Sequence, residues 1–280
     1  MKRESLPYTR TYWCGGSIAE NMGTLEDIKL FVLDMDGTFY LGDRLLEGSL
    51  DFLEKLAEKG RKFLFFTNNA SRNSTFYIQK LANMGCYVEE KDIITAGDVT
   101  ITFLNENYPG SKVYLVGTEF LRESFIKRGI DLTEDDPDIV VLSFDTTLTY
   151  EKIFKACTFI RNGALFIATH PDLNCPTENG FLPDCGSMCA MIEASTGVKP
   201  RFLGKPYRET ADIIRLVTGR RDDEIAFVGD RLYTDIATGV NNGMAGILVL
   251  TGETKLEDVE GSDVKPDFIF ENLAALGRAL

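Results

Sequence analysis

Short runs of consecutive apolar residues alternate along this chain with longer stretches in which apolar residues recur at helical spacing. Apolar runs that are rich in β-branched and aromatic residues and bounded by turn residues are typical of buried strands. The first part of the pattern predicts strands at 29–34 and 61–67 and helices at 49–59 and 73–84. This strand–helix order favours a parallel sheet with helices on both faces.

A second alternation follows further along the chain. It predicts helices at 99–107, 119–128 and 150–161 and strands at 112–116, 138–142 and 164–168. Residues 170–186 are rich in Pro, Asn, Asp, Gly and Cys, so a long ordered loop is expected there. A helix at 187–195 is expected to follow that loop and to end at Gly197.

From residue 201 the strand–helix alternation resembles that of the first part of the chain again. It predicts a short strand into Lys205, a helix at 207–218, a strand at 224–228, a helix at 233–241, a strand at 246–250 and a last helix near the C-terminus. The simplest arrangement is an α/β fold whose parallel-sheet core, at 27–88 and 199–280, is interrupted by an inserted α/β domain at 89–198. Residues 1–26 are expected to form an extension ahead of the first strand.

Two aspartates, Asp34 and Asp36, stand where the first apolar run ends and the chain turns at Gly37. Because residues i and i+2 of a strand point to the same side, their carboxylates are expected to lie together. Ligands of open α/β sheets collect beyond the carboxyl ends of the strands. Two carboxylates held there repel each other unless a cation or a shared proton relieves them. The competing interpretation is a plain turn, since Asp-Gly is a common turn signal.

Complementary polar groups stand at the ends of the other predicted core strands. They are the triplet Thr67-Asn68-Asn69, the lysine Lys205, and the aspartates Asp230 and Asp235. A carboxylate cluster suits Mg²⁺, which takes hard oxygen ligands. Together with an ammonium, a hydroxyl and amide donors, such a cluster fits a phosphoryl group, whose transfer depends on positioning and charge neutralisation.

These residue types can take separate roles in phosphoryl transfer. Asp34 is ionised at neutral pH and can attack phosphorus to form an aspartyl-phosphate. Asp36 would protonate the leaving alcohol and later deprotonate the attacking water. Thr67 and Lys205 would hold the transferring oxygens. Taken singly, Thr67 also fits an ordinary strand residue, Lys205 a solvated loop lysine, and Asp235 a carboxylate that favours a helix N-terminus.

The motifs together resemble those of a known family. Asp34-x-Asp36-Gly-Thr, Thr67-Asn68-Asn69, Gly204-Lys205-Pro206 and Gly229-Asp230 through Asp235 are similar to the four motifs of the haloacid dehalogenase-like phosphatases. More narrowly, the chain resembles the NagD / 4-nitrophenylphosphatase-like subfamily, whose cap domain is inserted between the second and third motifs. The similarity extends over almost everything after about residue 26 and includes the stretch from Thr169 to Ser187.

This resemblance implies a Rossmann-like core with an α/β cap at 89–198, and a homodimer formed through the cap. It also implies that Asp34, the backbone carbonyl of Asp36 and Asp230 bind Mg²⁺, with Asp235 in support. We assign phosphate or substrate binding to Gly37, Thr67, Asn68, Asn69, Lys205 and Cys175. The expected substrate is a small phosphorylated metabolite.

The cysteines and the single histidine are expected to be mainly structural. The six cysteines show no C-x-x-C pair and no zinc-like spacing, so most are expected to be small buried hydrophobes. Cys175 would face the active site if the cap closes over the core as in relatives, where it would shape specificity or confer redox sensitivity; inert packing is the alternative. His170 is expected to order its loop, because Asp36 already supplies the acid and base.

Charge and composition narrow the classes of function. The chain has 43 acidic and 30 basic residues and a formal net charge of −13. This balance argues against a general nucleic-acid binder or a peripheral membrane protein, since both need basic surfaces. No stretch has the length of a transmembrane helix or the pattern of a signal peptide, so a cytoplasmic location is expected.

The predicted function is that of a Mg²⁺-dependent phosphomonoesterase. A phosphomutase or phosphotransferase could use the same aspartyl-phosphate. A non-enzymatic, receiver-like switch phosphorylated on Asp34 is also conceivable, but an acid/base at Asp36 would shorten the life of its phosphorylated state. A dehalogenase is disfavoured, because carbon–halogen displacement needs neither a metal nor a second aspartate at position 36.

Overall fold

The computed structural model describes residues 24–177 and 180–280. Most of the predicted extension at 1–26, together with Cys14, lies outside the described residues. The chain divides into two compact units, Met1–Leu64 with Thr218–Leu280 and Phe65–Val217. The predicted limits of the insert, 89 and 198, fall inside the second unit, and they remain predictions.

The bounds of the elements are as follows. The strands are β1 (Leu30–Leu33), β2 (Tyr40–Leu41), β3 (Arg44–Leu45), β4 (Lys62–Thr67), β5 (Ile93–Thr95), β6 (Lys112–Val116), β7 (Asp131–Leu132), β8 (Ile139–Leu142), β9 (Leu165–Ala168), β10 (Asn174–Thr177), β11 (Gly180–Pro183), β12 (Arg201–Phe202), β13 (Ile225–Gly229), β14 (Ala245–Val249) and β15 (Phe268–Phe270). The α-helices are α1 (Ser49–Glu58), α2 (Ser74–Asn83), α3 (Ala96–Asn107), α4 (Glu119–Lys127), α5 (Tyr150–Arg161), α6 (Cys185–Thr196), α7 (Arg208–Thr218), α8 (Ala237–Asn241), α9 (Leu256–Gly261) and α10 (Leu273–Ala279). Short 3₁₀ turns lie at Glu90–Asp92 and Asp222–Glu224, and a π turn lies at Leu232–Ile236.

The first unit is built on parallel strands in the order β15-β14-β13-β1, with the start of β4 next to β1. Every residue of β1 and of β13 is buried, as expected of parallel strands covered on both faces. Helix α1 covers β1 through Phe52, whose ring meets that of Phe31 edge to face at 5.6 Å. Because β1 and β13 are neighbours in parallel register, Asp34 and Asp230 follow their ends side by side.

The second unit contains a five-stranded parallel sheet in the order β12-β9-β8-β6-β7. Its apolar core joins the strands to helices α5 and α6, through residues such as Val140, Phe166, Ile160 and Ile192. The end of β4 also belongs to this unit and pairs in parallel with β5. Both units are therefore α/β with parallel sheets, and the predicted Rossmann-like fold class is confirmed.

The expected long loop at 170–186 is wrong in part. It contains the antiparallel hairpin β10–β11, in which Cys175 pairs with Leu182, and it ends in the first turn of α6. At the hairpin turn, Gly180 has φ +127, in a region that suits glycine, and its carbonyl accepts a hydrogen bond of 3.0 Å from the Thr177 hydroxyl. The polar composition that predicts a loop does not reveal this pairing between short segments.

Two further expectations need correction. The strand expected to end at Lys205 is β12, which ends at Phe202 and pairs with β9 in the five-stranded sheet. The helix expected at 233–241 begins as the π turn and becomes α-helical only at Ala237. Gly229 lies so close to Asp235 that an added Cβ would collide with that side chain. The wide turn thus brings Asp235 back against the end of β13.

Within residues 24–177 and 180–280, no helix combines the length and the apolarity needed to cross a membrane.

The core placement of Phe166 predicts a large loss of stability on truncation. Phe166→Ala should lower the free energy of unfolding by about 3–5 kcal/mol, because it leaves a cavity in the core of the second unit. The matched variant Phe181→Ala removes a side chain that is 74% exposed, and it should change stability by no more than about 0.5 kcal/mol. Urea unfolding followed by circular dichroism measures both. Equal losses would contradict the placement of Phe166.

Candidate active site

Three carboxylates meet in the first unit. Asp34, Asp230 and Asp235 each offer an oxygen, and these oxygens all lie within 4.8 Å of one another. Asp34 follows β1, Asp230 follows β13, and Asp235 comes from the π turn. Asp230 and Asp235 are buried and Asp34 is half-buried. The structure therefore brings together three of the four aspartates that the sequence assigned to metal binding.

Asp230 is fixed by donors from two loops. One carboxylate oxygen accepts from the Thr38 hydroxyl at 3.2 Å, and the other accepts from the Glu253 amide at 2.8 Å. Gly37 leaves room for this carboxylate, because a Cβ there would lie 2.8 Å from Asp230 Oδ2. Gly37 also has φ +85, which disfavours any side chain. Its assignment to phosphate binding remains a prediction.

The electrostatics of this cluster favour a cation. Burial and the charge of Asp235 raise the pKa of Asp230 from 3.8 to about 6, against the opposing effect of the hydrogen bond from Glu253. Holding these carboxylates ionised in a buried place is costly unless positive charge compensates them. The donor set consists of hard oxygen atoms, which fits a divalent cation of the Mg²⁺ or Ca²⁺ type.

Asp36 lies just beyond the cluster and has a separate partner. Its carboxylate accepts a hydrogen bond from the Tyr40 hydroxyl at 3.2 Å. The turn between them is closed by the Gly37 amide, which donates to the Tyr40 carbonyl at 2.8 Å, and by the Met35 carbonyl, which accepts from the Tyr40 amide at 3.0 Å. The carboxylate of Asp36 is not one of the three clustered groups. Tyr40 therefore helps to orient Asp36 within a short, closed turn.

Lys205 lies in the second unit and is almost fully buried, at 3% exposure. Its ammonium lies 5.3 Å from the centre of the Phe66 ring and 3.4 Å from the Phe66 carbonyl oxygen. Its backbone is held by the side chain of Asn68, which accepts from the Lys205 amide at 2.8 Å and donates to the Lys205 carbonyl at 3.0 Å. The competing interpretation of Lys205 as a solvated loop lysine is wrong.

The loop after β4 is shaped by its own side chains. Thr67, buried at the end of the strand, accepts the Asn69 amide at 3.1 Å. Asn69 in turn accepts from the amide and the hydroxyl of Ser71, at 3.0 and 2.7 Å. The Asn69 amide group also lies 3.9 Å from the sulfur of Cys175 on the β10–β11 hairpin. The second unit thus brings together Thr67-Asn68-Asn69, Cys175 and Lys205.

A buried polar group near this loop was missed by the sequence reasoning. His170 has no exposed surface; one ring nitrogen lies 2.9 Å from the Thr169 hydroxyl and the other 2.9 Å from Asp184 Oδ1. Asp184 also caps α6, since it accepts from the Cys185 amide at 2.6 Å. Asp172 completes the group, with its carboxylate within 4.8 Å of the other two side chains. The expected loop-ordering role of His170 fits these contacts.

The charge of His170 follows from its neighbours. Burial lowers its pKa, but the charges of Cys185, Asp184 and Asp172 and the hydrogen bond to Asp184 raise it to a net value of about 9. The imidazole is therefore protonated at neutral pH and compensates the nearby carboxylates. In the sequence, Asp184 stands directly before the residues of α6, where an aspartate is a typical helix N-cap. This is the feature from which part of the group could have been predicted.

The burial expected of most of the cysteines is observed for four of the five described ones. Cys86, Cys157, Cys185 and Cys189 are buried, and Cys175 is half-buried. No disulfide joins these five described cysteines.

Comparisons with known proteins agree with the motif resemblance. A family model for haloacid dehalogenase-like hydrolases matches residues 31–131, and a second, HAD-hydrolase-like model matches residues 202–276. An acid sugar phosphatase of Staphylococcus aureus is 36% identical over 250 residues, which cover 89% of this chain and 96% of the relative. A solved 4-nitrophenylphosphatase from Thermotoga maritima is 49% identical with a TM-score of 0.88, covering 91% of this chain and 98% of that one. NagD from E. coli K-12 is 32% identical with a TM-score of 0.83, covering 88% and 97%.

The raised pKa of Asp230 predicts how the metal-free protein responds to pH. A carboxyl whose pKa is raised in the folded state binds its proton more tightly there, so stability falls as the pH rises from about 3.8 to about 6. Asp235→Asn removes the neighbouring charge and should raise the melting temperature in EDTA at pH 7.5, by about 2–4 °C for each kcal/mol gained. This advantage should shrink as the pH is lowered to 5.

Asp43→Asn is the matched control, because it removes an exposed carboxylate of the same unit. It should change the melting temperature little at either pH. A melting temperature for Asp235→Asn that is below wild type at both pH values would contradict the electrostatic account of the cluster.

Proposed function

Because this chain belongs to the haloacid dehalogenase-like hydrolases and is a phosphatase, we propose that it is a Mg²⁺-dependent phosphomonoesterase that works through an aspartyl-phosphate. The observation that carries the proposal is the group formed by Asp34, Asp230 and Asp235, two buried carboxylates beside a half-buried one. A buried acidic cluster has little structural value of its own, and it fits a site that receives a cation together with a phosphate.

The metal would be held by the three clustered carboxylates, and the family resemblance adds the backbone carbonyl of Asp36. When bound, Mg²⁺ would neutralise these carboxylates and the negative oxygens of the phosphate. Asp34 would then be able to approach a phosphate dianion that its own charge would otherwise repel.

Asp34 is the proposed nucleophile. It is held at the end of β1 by its backbone amide, which donates to the Val228 carbonyl at 2.9 Å. Its carboxylate oxygen would form a bond to phosphorus while the bond from phosphorus to the leaving oxygen breaks. Water would then attack the phosphorus of the aspartyl-phosphate, releasing inorganic phosphate and restoring the Asp34 carboxylate.

Asp36 is the proposed general acid and base. It would give its proton to the leaving oxygen in the first step and take a proton from water in the second. The hydrogen bond from Tyr40 supports this role, because it helps to hold the carboxylate in a defined orientation.

Thr67 and Lys205 are proposed to bind the oxygens of the phosphoryl group. The ammonium of Lys205 is buried and its backbone is clamped, which favours a fixed position for its charge. A positive charge held in place before the reaction stabilises the transition state more than a mobile one, because it needs no reorganisation.

Small phosphorylated metabolites are the proposed substrates, with sugar phosphates the first class to test because of the name of the S. aureus relative. Cys175, beside Asn69 on the hairpin, is proposed to contribute to substrate selection. A homodimer formed through the predicted cap, and a cytoplasmic location, remain predictions.

Hydrolysis of p-nitrophenyl phosphate tests the proposal. Wild type should be active with Mg²⁺ and inactive in EDTA, and Asp34→Asn should lose activity about 1,000-fold or more in Mg²⁺, because it removes the nucleophile. The control Asp43→Asn should retain wild-type activity. Activity that survives in EDTA, or in Asp34→Asn, would contradict the mechanism.

Metal binding should depend on pH through Asp230. Protons compete with Mg²⁺ for a carboxyl whose pKa is about 6, so the affinity for Mg²⁺ should fall as the pH drops below that value. The rise in melting temperature caused by Mg²⁺ should therefore be larger at pH 7.5 than at pH 5, and it should be nearly absent in Asp230→Asn. An equal rise at both pH values would place the metal elsewhere.

A further inference from the structure

The side-chain amide of Asn68 joins Lys205 to a carboxylate that lies far away in the sequence. Asn68 Oδ1 accepts the Lys205 amide at 2.8 Å, and Asn68 Nδ2 donates to the Lys205 carbonyl at 3.0 Å. The same nitrogen lies 3.3 Å from each carboxylate oxygen of Asp172. One amide thus satisfies both backbone polar groups of Lys205 while it also contacts Asp172.

Only one orientation of the Asn68 amide satisfies all of these partners. The Lys205 amide needs an acceptor, whereas the Lys205 carbonyl and the Asp172 carboxylate need donors. A flipped amide would set a donor against a donor on Lys205 and an oxygen against the carboxylate of Asp172. Asp172 therefore reinforces the orientation that the Lys205 backbone requires, and it holds the Asn68 nitrogen from a second side.

The turn that carries Lys205 is packed tightly against Asn68 and Thr169. A Cβ on Gly204 would lie 2.7 Å from Asn68 Oδ1 and 2.6 Å from the Thr169 carbonyl oxygen. The Gly204 amide also donates to that carbonyl at 2.7 Å. Because the backbone is packed this closely, movement of the Asn68 side chain would be passed on to Lys205.

Asp172 is itself held in place. Its carbonyl accepts the Gly186 amide at 2.8 Å, and a Cβ on Gly186 would collide with the carbonyl of Pro171. His170 lies in the same cluster and bonds to Asp184 at 2.9 Å. The imidazolium supplies the positive charge that two neighbouring carboxylates in a mostly buried place require.

We propose that Asp172 is a positioning residue: it fixes the amide of Asn68, and Asn68 fixes the backbone from which the Lys205 ammonium projects. Asn68 thereby acts through its side chain on Lys205. The inference rests on the proposed function of Lys205 in holding the phosphoryl oxygens.

Three single variants test this series of contacts first. Asp172→Ala removes the acceptor, and Asn68→Asp removes the donor and sets two carboxylates against each other. Each should lower kcat/KM for p-nitrophenyl phosphate about 10–100-fold and weaken inhibition by inorganic phosphate, because a small misplacement of a binding group has effects of this size. Asp172→Asn retains an acceptor oxygen and should stay within about threefold of wild type.

The double variant Asn68→Asp with Asp172→Asn is the sharpest measurement. It restores a donor–acceptor pair between positions 68 and 172 with the roles exchanged, while the Lys205 carbonyl still faces an acceptor, so it should regain part, but not all, of the activity that Asn68→Asp loses. A structural role alone would not produce this recovery, and melting temperatures report whether each variant is folded. Asn107→Asp, an exposed asparagine of the same unit, controls for the added charge and should keep wild-type activity.

Lys205→Gln distinguishes the proposed role of Lys205 from the positioning role of Asp172. If it loses activity while Asn68→Asp and Asp172→Ala do not, the positioning role of Asp172 is overturned and the role of Lys205 stands. If Lys205→Gln keeps full activity and full phosphate inhibition, the proposed role of Lys205 fails, and the positioning role fails with it. A double variant no more active than Asn68→Asp would also overturn the positioning role.

Discussion

The mutual repulsion of three carboxylates in a largely buried place is the constraint on which the chemistry of the first unit depends. The oxygens of Asp34, Asp230 and Asp235 lie within 4.8 Å of one another, and the pKa of Asp230 is raised to about 6. The fold keeps them together through adjacent parallel strands and through donors from Thr38 and Glu253. A bound cation would relieve this repulsion, and perturbed carboxyl pKa values of this kind are common at functional sites.

In the second unit the buried charge is positive, and it is held in place by neighbouring groups. Lys205 is only 3% exposed, and its backbone is held by the amide of Asn68. That amide contacts Asp172, whose cluster carries the positive charge of His170. Asn68 thus links the backbone of Lys205 to a cluster in which His170 and two carboxylates carry opposite charges, so removal of Asp172 is expected to affect Lys205.

The sequence predicts the buried strands and the residues that follow them, but not the contacts that depend on tertiary packing. The run at 30–33 identifies β1 because a fully buried parallel strand needs consecutive apolar residues. The hairpin β10–β11 acquires its structure only from the pairing of its two strands, so no local pattern marks it, and the end of the predicted short strand β12 is set by its pairing with β9. The contact between Asn68 and Asp172 spans 104 positions, and nothing in either local sequence indicates it.

The identity of the nucleophile is tested most directly by trapping it. In Asp36→Asn the second step lacks its base, while p-nitrophenolate leaves readily without an acid, so the phosphorylated protein should accumulate. Mass spectrometry after brief reaction with p-nitrophenyl phosphate and Mg²⁺ should find one phosphoryl group, on the peptide that contains Asp34. Continued hydrolysis without any adduct, or an adduct on another residue, would contradict Asp34 as the nucleophile.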